Sequence, residues 1–213
     1  PMLSNLLLDI ATDKYDHSKL DEVFDKRAIE LLRNTKLVTP QNQYIIKEIE
    51  FYLSSDHYRH LDPYTHRSQR QLLCGQWYFH RFKSVETYSR QKFKGLDITF
   101  GAKRHNNYGG ILIRKIQNIA TNAVIDGIGK IVSALMDDLS PDKFTQIATD
   151  DLPMRVFNSD APLRLEVFEN SLDMPILKTT RKNLGFVESE DEVKFFNKQY
   201  NYFNDMNATL VAK

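Results

Sequence analysis

The segment Lys47-Glu48-Ile49-Glu50-Phe51-Tyr52-Leu53 alternates as a β-strand does, with Ile49, Phe51 and Leu53 on one side and Glu48, Glu50 and Tyr52 on the other. Glutamate is a poor strand residue, so an acid followed two positions later by a phenol on the same face calls for a reason. Glu50 with Tyr52, Tyr64, Trp77, Tyr78, Phe79 and Phe100 offers a carboxylate among ring faces. Rings of this kind stack on nucleobases, and a carboxylate beside them serves as base or hydrogen-bond acceptor. The plain alternative is that the rings fill a core while Glu48 and Glu50 sit on the solvent side of the strand. Glu48 is read as solvated in either case.

A second group is His57, His60, His66, Cys74 and His80, all within twenty-four residues. Zinc takes such donors, but the spacing matches no C-x-x-C or H-E-x-x-H pattern, and no metal is assigned. A third is "KGLDITFGAKRHNNYGGILIR", two strands joined by a basic, amide-rich turn. An apolar ring at the tip of such a hairpin, backed by Lys103 and Arg104, suits insertion into a duplex beside phosphate contacts. An ordinary hairpin whose Phe100 caps the core is the other reading. The "GG" at 109–110 and "GIG" at 127–129 fit neither nucleotide-binding glycine pattern.

These residues need elements to position them. "SKLDEVFDKRAIELLRN" reads as a helix with Ser18 as N-cap and Leu20, Val23, Phe24, Ala28, Leu31 and Leu32 along one face. "QYIIKEIEFYLS" is a strand, and "SSDHYRHLDPYTHRSQRQ" is a long polar loop of the kind that is often functional. "QWYFHRF", "KGLDITFG", "GGILIRKI" and "EVKFFNKQYNYF" are strand candidates, with shorter ones at "LRLEVFE" and "KNLGFV". Helices are expected over Lys130 to Met136 and from Pro141. Strands that neighbour one another without long crossovers point to one α+β domain over residues 1–213. It comprises a helical segment at 1–36 and a core at 37–213, with a curved, mostly antiparallel sheet flanked by helices and a protruding hairpin.

The chain has 213 residues, 41% hydrophobic and 27% charged, which suits a soluble globular protein. The single Cys74 excludes an internal disulfide and fits a reducing compartment. No apolar run reaches membrane-spanning length, and the start lacks a basic n-region with a clear cleavage site, so an intracellular protein, nuclear or cytoplasmic, is expected. The net charge of +1 conceals an asymmetry. Residues 57–115 hold twelve Lys and Arg against three acids, and from Met136 onward nine stand against fourteen. A basic middle of this kind suits a polyanionic partner.

Taken in order, the segments resemble the monofunctional 3-methyladenine (alkyladenine) DNA glycosylases of mammalian type. The resemblance rests on Glu50-Phe51-Tyr52, His66 in its polar loop, Phe100-Gly101, "ILIRKI" with Arg114, "GIGKIVSALM", "TTRKNLGF" and "EVKFFNKQYNYF", from about Gln43 to Phe203. It implies that Glu50 activates water against the glycosidic carbon of a flipped nucleotide and that Arg114 helps to position that water. Tyr52 would stack on the extruded base, His66 would line the pocket, and Asp97 and Leu112 would contribute to substrate binding. Phe100 would fill the gap in the duplex, with Arg67, Lys103 and Arg104 on the DNA backbone. No metal or organic cofactor is needed, and the implied partner is double-stranded DNA with a modified base, met by a monomer. Asp97 stands where the family places a second aromatic; it cannot stack, but it accepts from an exocyclic amine or attracts a cationic base. The family's Thr-Pro-Arg-Asn run is replaced by "HRSQRQLLCGQW", and the hairpin after Phe100 is shorter.

Three other readings stay open. One is a non-catalytic module that recognises a flipped or modified base. Another is a hydrolase of free nucleosides or RNA in which Glu50 and Asp97 act together. The last is an interaction domain whose basic middle meets an acidic partner.

Overall fold

A computed structural model describes residues 2–11, 17–185 and 188–204. The chain opens with helix α1 (Met2–Ala11) and, after a short 3-10 turn, α2 (Leu20–Asn34). Strands β1 (Thr35–Val38), β2 (Gln43–Ser55), β3 (His60–Leu61) and β4 (Cys74–Phe79) follow. Next come α3 (Val85–Arg90), β5 (Leu96–Phe100), β6 (Tyr108–Asn118) and β7 (Val124–Asp126). Helices α4 (Ile128–Asp138) and α5 (Pro141–Thr149) precede β8 (Arg164–Val167), β9 (Leu177–Thr179), α6 (Glu190–Phe196) and β10 (Asn201–Phe203). The result is one α+β domain with a curved antiparallel sheet flanked by helices, the architecture expected from the sequence.

The sheet runs β4-β5-β6-β2-β1-β8, with every named pairing antiparallel. Strand β2 is its axis. One edge pairs with β6 from Tyr44 to Ser54, while the other takes β1, then β10, then β3 in succession. Register shifts flank Glu48, so that Lys47 on β2 and Arg114 on β6 are each the extra residue of a bulge. A bulge reverses which side of the sheet later residues face. Tyr44 and Ile46 therefore share the core with Ile49, Phe51 and Leu53, and Ile116 shares it with Ile113 and Ile111.

That core face continues through Trp77 and Phe79 on β4 and Leu96, Ile98 and Phe100 on β5. Helix α2 lays Phe24 on it, stacked on Phe51 with ring centroids 4.4 Å apart. Helix α1 packs on β4 and β5, and Phe144 of α5 meets Phe79 at 4.5 Å. Phe100 is fully buried, edge-on to both Phe24 and Phe51 at 6.1 Å. A Cβ at Gly109 would stand 2.7 Å from its ring, so only glycine lets the next strand close over it. The expectation that Phe100 enters a duplex is thus corrected: on β5 it shares the parity of Ile98, opposite to Asp97, and it belongs to the core.

Several element expectations change as well. Helix α2 begins at Leu20 after Lys19, with no side-chain cap, rather than at Ser18, and the segment expected to be helical to residue 36 turns into β1 at Thr35. The expected strand over "EVKFFNKQYNYF" is helix α6 followed by β10. Ser189 Oγ accepts from the Glu192 N–H at 3.2 Å, and Glu192 accepts from the Ser189 N–H at 3.0 Å. This reciprocal cap sets the helix start. Residues 182–185 of "KNLGFV" lie outside any strand, and Phe186 and Val187 fall outside the described residues. The β5–β6 hairpin is present, and its tip leans on the β2–β3 turn: Asn106 donates to Asp56 at 3.2 Å, and His105 stacks on His57 at 4.5 Å. No helix among the described residues is long and apolar enough to cross a membrane.

The burial of Phe100 has a measurable cost on removal. Phe100→Ala is expected to destabilise the fold by about 3–5 kcal/mol, whereas Phe93→Ala, at a ring 68% exposed, should stay within about 0.5 kcal/mol. Equal effects in chemical denaturation would contradict the assignment.

Candidate functional site

On the face opposite the core, pairing sets a row across the sheet. Asn201, Glu50, Leu112, Asp97 and Tyr78 are consecutive register partners on β10, β2, β6, β5 and β4. Directly paired residues project to the same side. With strands about 4.8 Å apart, the backbones carrying Glu50 and Asp97 lie about 10 Å from each other, with Leu112 between them.

Above this row lies a cavity of about 270 Å³, just below the roughly 300–1,000 Å³ found for ligand sites. Tyr52, His66, Asp97, Leu112 and Arg114, five of the residues singled out from sequence, line it. Tyr64, Gln71, His80, Ile128 and the segment Lys182-Asn183-Leu184-Gly185 complete the wall. Gly110 sits two residues before Leu112 on β6, opposite Tyr52. A Cβ there would come within 2.5 Å of Asp97 Oδ2 and 2.7 Å of Gln71 Nε2, so only glycine lets these two side chains pack against β6 in this position.

Glu50 lies directly behind the cavity wall and is wholly buried. Its Oε2 accepts from the Tyr52 hydroxyl at 2.8 Å and from Arg114 at 3.1 Å. Its Oε1 accepts from the Lys182 backbone N–H at 2.7 Å and from Asn201 at 2.9 Å. Burial first, then the neighbouring Glu50 charge, pushes the Tyr52 phenol well above its usual pKa, so it stays protonated and donates.

Glu48, expected to be solvated, is 1% exposed and belongs to the same network. Asn201 donates to it at 2.8 Å, Lys182 Nζ lies 2.6 Å away, and Arg114 and Lys115 stand at 3.6 and 3.7 Å. The bulge at Lys47 and the docking of β10 cover a position that strict alternation leaves open to water.

Arg181 was not singled out from sequence, yet it fastens the segment that closes the cavity. Its guanidinium is fully buried, pairs with Asp62, and donates to the carbonyls of Phe51 at 3.2 Å and Phe195 at 3.1 Å. It also lies over the Tyr52, Tyr64 and Tyr200 rings at 4.5, 5.5 and 5.6 Å. One face of Tyr52 is thereby occupied, and the cavity-lining surface is what remains for a ligand.

At the other end, Asp97 accepts from His80 Nε2 at 2.7 Å and from Gln71 Nε2 at 3.0 Å. His66 lies with its ring 4.3 Å from that of His80. Burial, and then the His80 charge, hold the His66 imidazole below its usual pKa. Sequence reading placed His80 only in the possible metal group and passed over Gln71. The alternation of "QWYFHRF" was the available signal, since Tyr78 and His80 share the face opposite Trp77 and Phe79.

The basic residues lie at the margins. Arg67 is exposed, with both Nε and Nη2 donating to Ser54 Oγ at 3.0 and 2.8 Å. Lys103 and Arg104 are exposed at the hairpin tip, and Lys103 lines a separate shallow groove with Arg70. The five possible metal donors do not converge: His66 and His80 are neighbours, while His57 and His60 take other partners. His57 stacks on His105, and His60 bridges the Leu53 carbonyl at 2.8 Å and the Tyr200 hydroxyl at 2.9 Å. Among the described residues, no group of three or more His, Cys, Asp or Glu could hold a metal ion. Burial pushes the Cys74 thiol up to about 12.

The chain is 38% identical over 144 residues to an uncharacterized protein, L759, of Acanthamoeba polyphaga mimivirus. The match covers 62% of this chain and 64% of that protein, so the chain spans a little under two thirds of the relative's length. No family model matches the chain.

Two measurements check this geometry. Arg114→Ala strips a guanidinium from two buried carboxylates and is expected to cost about 3–5 kcal/mol in chemical denaturation. A loss under 1 kcal/mol would mean that the two acids do not depend on it. Cys74 in the folded protein should react with a thiol reagent at pH 8 at least about 100-fold more slowly than in denaturant, because the thiolate is the reactive form.

Proposed function

We propose that this chain is a base-flipping N-glycosylase that hydrolyses the glycosidic bond of a modified base in DNA. The observation that carries this reading is convergence: Tyr52, His66, Asp97, Leu112 and Arg114 line one small cavity, and Glu50 is bonded to two of them. Ring faces and a few polar atoms in a space of this size suit a single flat ring system. The basic middle of the chain supports a polyanionic partner.

In this reading Arg114 and Glu50 hold a water between them in place of their direct 3.1 Å contact. Glu50 takes the proton as the water attacks the anomeric carbon, and the carbon–nitrogen bond breaks with its electron pair leaving on the departing base. A carboxylate at this position also steadies positive charge on the sugar as the bond breaks. The Tyr52 surface left uncovered by Arg181 stacks on the base. With Phe100 in the core, the plug for the vacated duplex position is not assigned to it. The exposed Lys103 and Arg104 remain candidates for phosphate contacts.

A second reading, a recognition module without turnover, is favoured by one specific observation. Both oxygens of Glu50 already hold two donors each, so a water enters only if Tyr52 or Arg114 gives way.

An abasic-site assay on duplexes carrying different modified bases separates the two. The wild type should produce strand breaks after alkali. Glu50→Gln should slow single-turnover excision by at least about 100-fold while duplex affinity changes only a few-fold. Binding without excision by the wild type would select the recognition module, and excision that survives Glu50→Gln would remove Glu50 from the chemistry.

A further inference from the structure

The cavity has two chemically different ends. Arg114 and Lys182 supply donors at one, while at the other Asp97 is 2% exposed and stands between His80 and Gln71. Both neighbours donate to Asp97, one to each oxygen, and an ionised carboxylate offers further lone pairs on both. Among the described residues its side-chain partners are the His80 imidazole and the Gln71 amide, and no Lys or Arg is paired with it. This contrasts with Glu48 and Glu50, which face Arg114, Lys115 and Lys182. A buried carboxylate without a full countercharge gains most from a ligand that brings N–H donors or positive charge.

The surroundings hold Asp97 in place for this task. Gln71 Oε1 is engaged by the Ser68 N–H at 3.2 Å, which turns its amide nitrogen toward Asp97. A Cβ at Gly95 would lie 2.5 Å from His80 Nδ1, so that side of the imidazole is closed and Nε2 is directed at the acid. Gly110 lets Asp97 Oδ2 and Gln71 Nε2 lie close against the β6 backbone, where a Cβ would come within 2.5 and 2.7 Å of them.

We infer that Asp97, held by Gln71 and His80, is the specificity-determining acceptor of the cavity, selecting a nucleobase whose edge carries an amino group or a positive charge. The inference deepens the proposed function by naming the substrate class, and it rests on that reading for the identity of the ligand as a base.

Free bases test it without requiring turnover. Titration calorimetry compares adenine with purine, which differ only in the exocyclic amine, on wild type and on Asp97→Asn. Adenine should bind the wild type about tenfold more tightly than purine or better, as for a hydrogen bond to a charged group. In Asp97→Asn a single acceptor oxygen remains, already claimed by His80 or Gln71, and the ratio should fall to within about twofold of unity. Equal affinities in the wild type, a ratio unchanged in Asp97→Asn, or no binding of either base at millimolar concentration would each overturn the inference. If Asp97→Asn does not fold, the wild-type ratio decides.

The two proposals fail separately. A tenfold adenine preference lost in Asp97→Asn, with no excision from any duplex, retains the acceptor and removes the glycosylase. Excision confined to bases without an amine or charge retains the glycosylase and removes the acceptor.

Discussion

Two carboxylates within three residues of the central strand, at 1% and 0% exposure, set the terms for everything around them. A buried charge without partners is untenable in a folded protein. Here the partners come from three separate parts of the chain. Strand β6 bulges to bring in Arg114, β10 contributes Asn201, and the 181–185 segment brings both the backbone and the side chain of Lys182. The same contacts hold β10 to the second half of β2 and close one wall of the cavity. Structural support and site construction are therefore one set of bonds.

The two sides of the sheet divide the work. The face against α1 and α2 is packed with aromatic and branched side chains and supplies the hydrophobic stabilisation. Freed from that role, the other face carries two acids, an arginine, a tyrosine and two histidines around a space. Leu112 lies between the Glu50 and Asp97 ends as the apolar floor. Glu50 has the Arg114 guanidinium among its four donors, whereas Asp97 is held by an imidazole and an amide, so two carboxylates on the same face present different surroundings to whatever enters.

Much of the scaffold was legible because alternation and helical spacing are local. Strands β2, β4, β5 and β6, the buried face of α2 and the shared face of Glu50 and Tyr52 all follow from such patterns, whereas β3 lies inside the stretch read as a polar loop. Phe100 was misread although its parity with Ile98 was visible, because the hairpin-tip reading took precedence over the face it implied. Helix α6 was read as strand although Ser189-x-x-Glu192 carried a capping signature. Other features were not local. The paired bulges at Lys47 and Arg114 depend on how two strands 64 residues apart settle against each other. The burial of Glu48 follows from the docking of a strand some 150 residues later, as does the role of Asn201. Arg181, which clamps Asp62 and three tyrosine rings, had only its place in a short basic run to mark it.

The succession of partners along one edge of β2 bears on the order in which the molecule assembles. The sequence separations from Glu50 to its donors are 2 for Tyr52, 64 for Arg114, 132 for Lys182 and 151 for Asn201. A chain folding as it is synthesised forms the β2–β6 pair and its aromatic core long before the last two donors exist. Until then the carboxylate lacks these donors and the edge of β2 between β1 and β3 lacks its β10 partner. Contacts across such long loops are slow to form, and an uncovered strand edge invites association with other chains. The wall of the cavity is thus the last part to be completed, and the vulnerability of the nascent chain lies on the strand that carries Glu48 and Glu50.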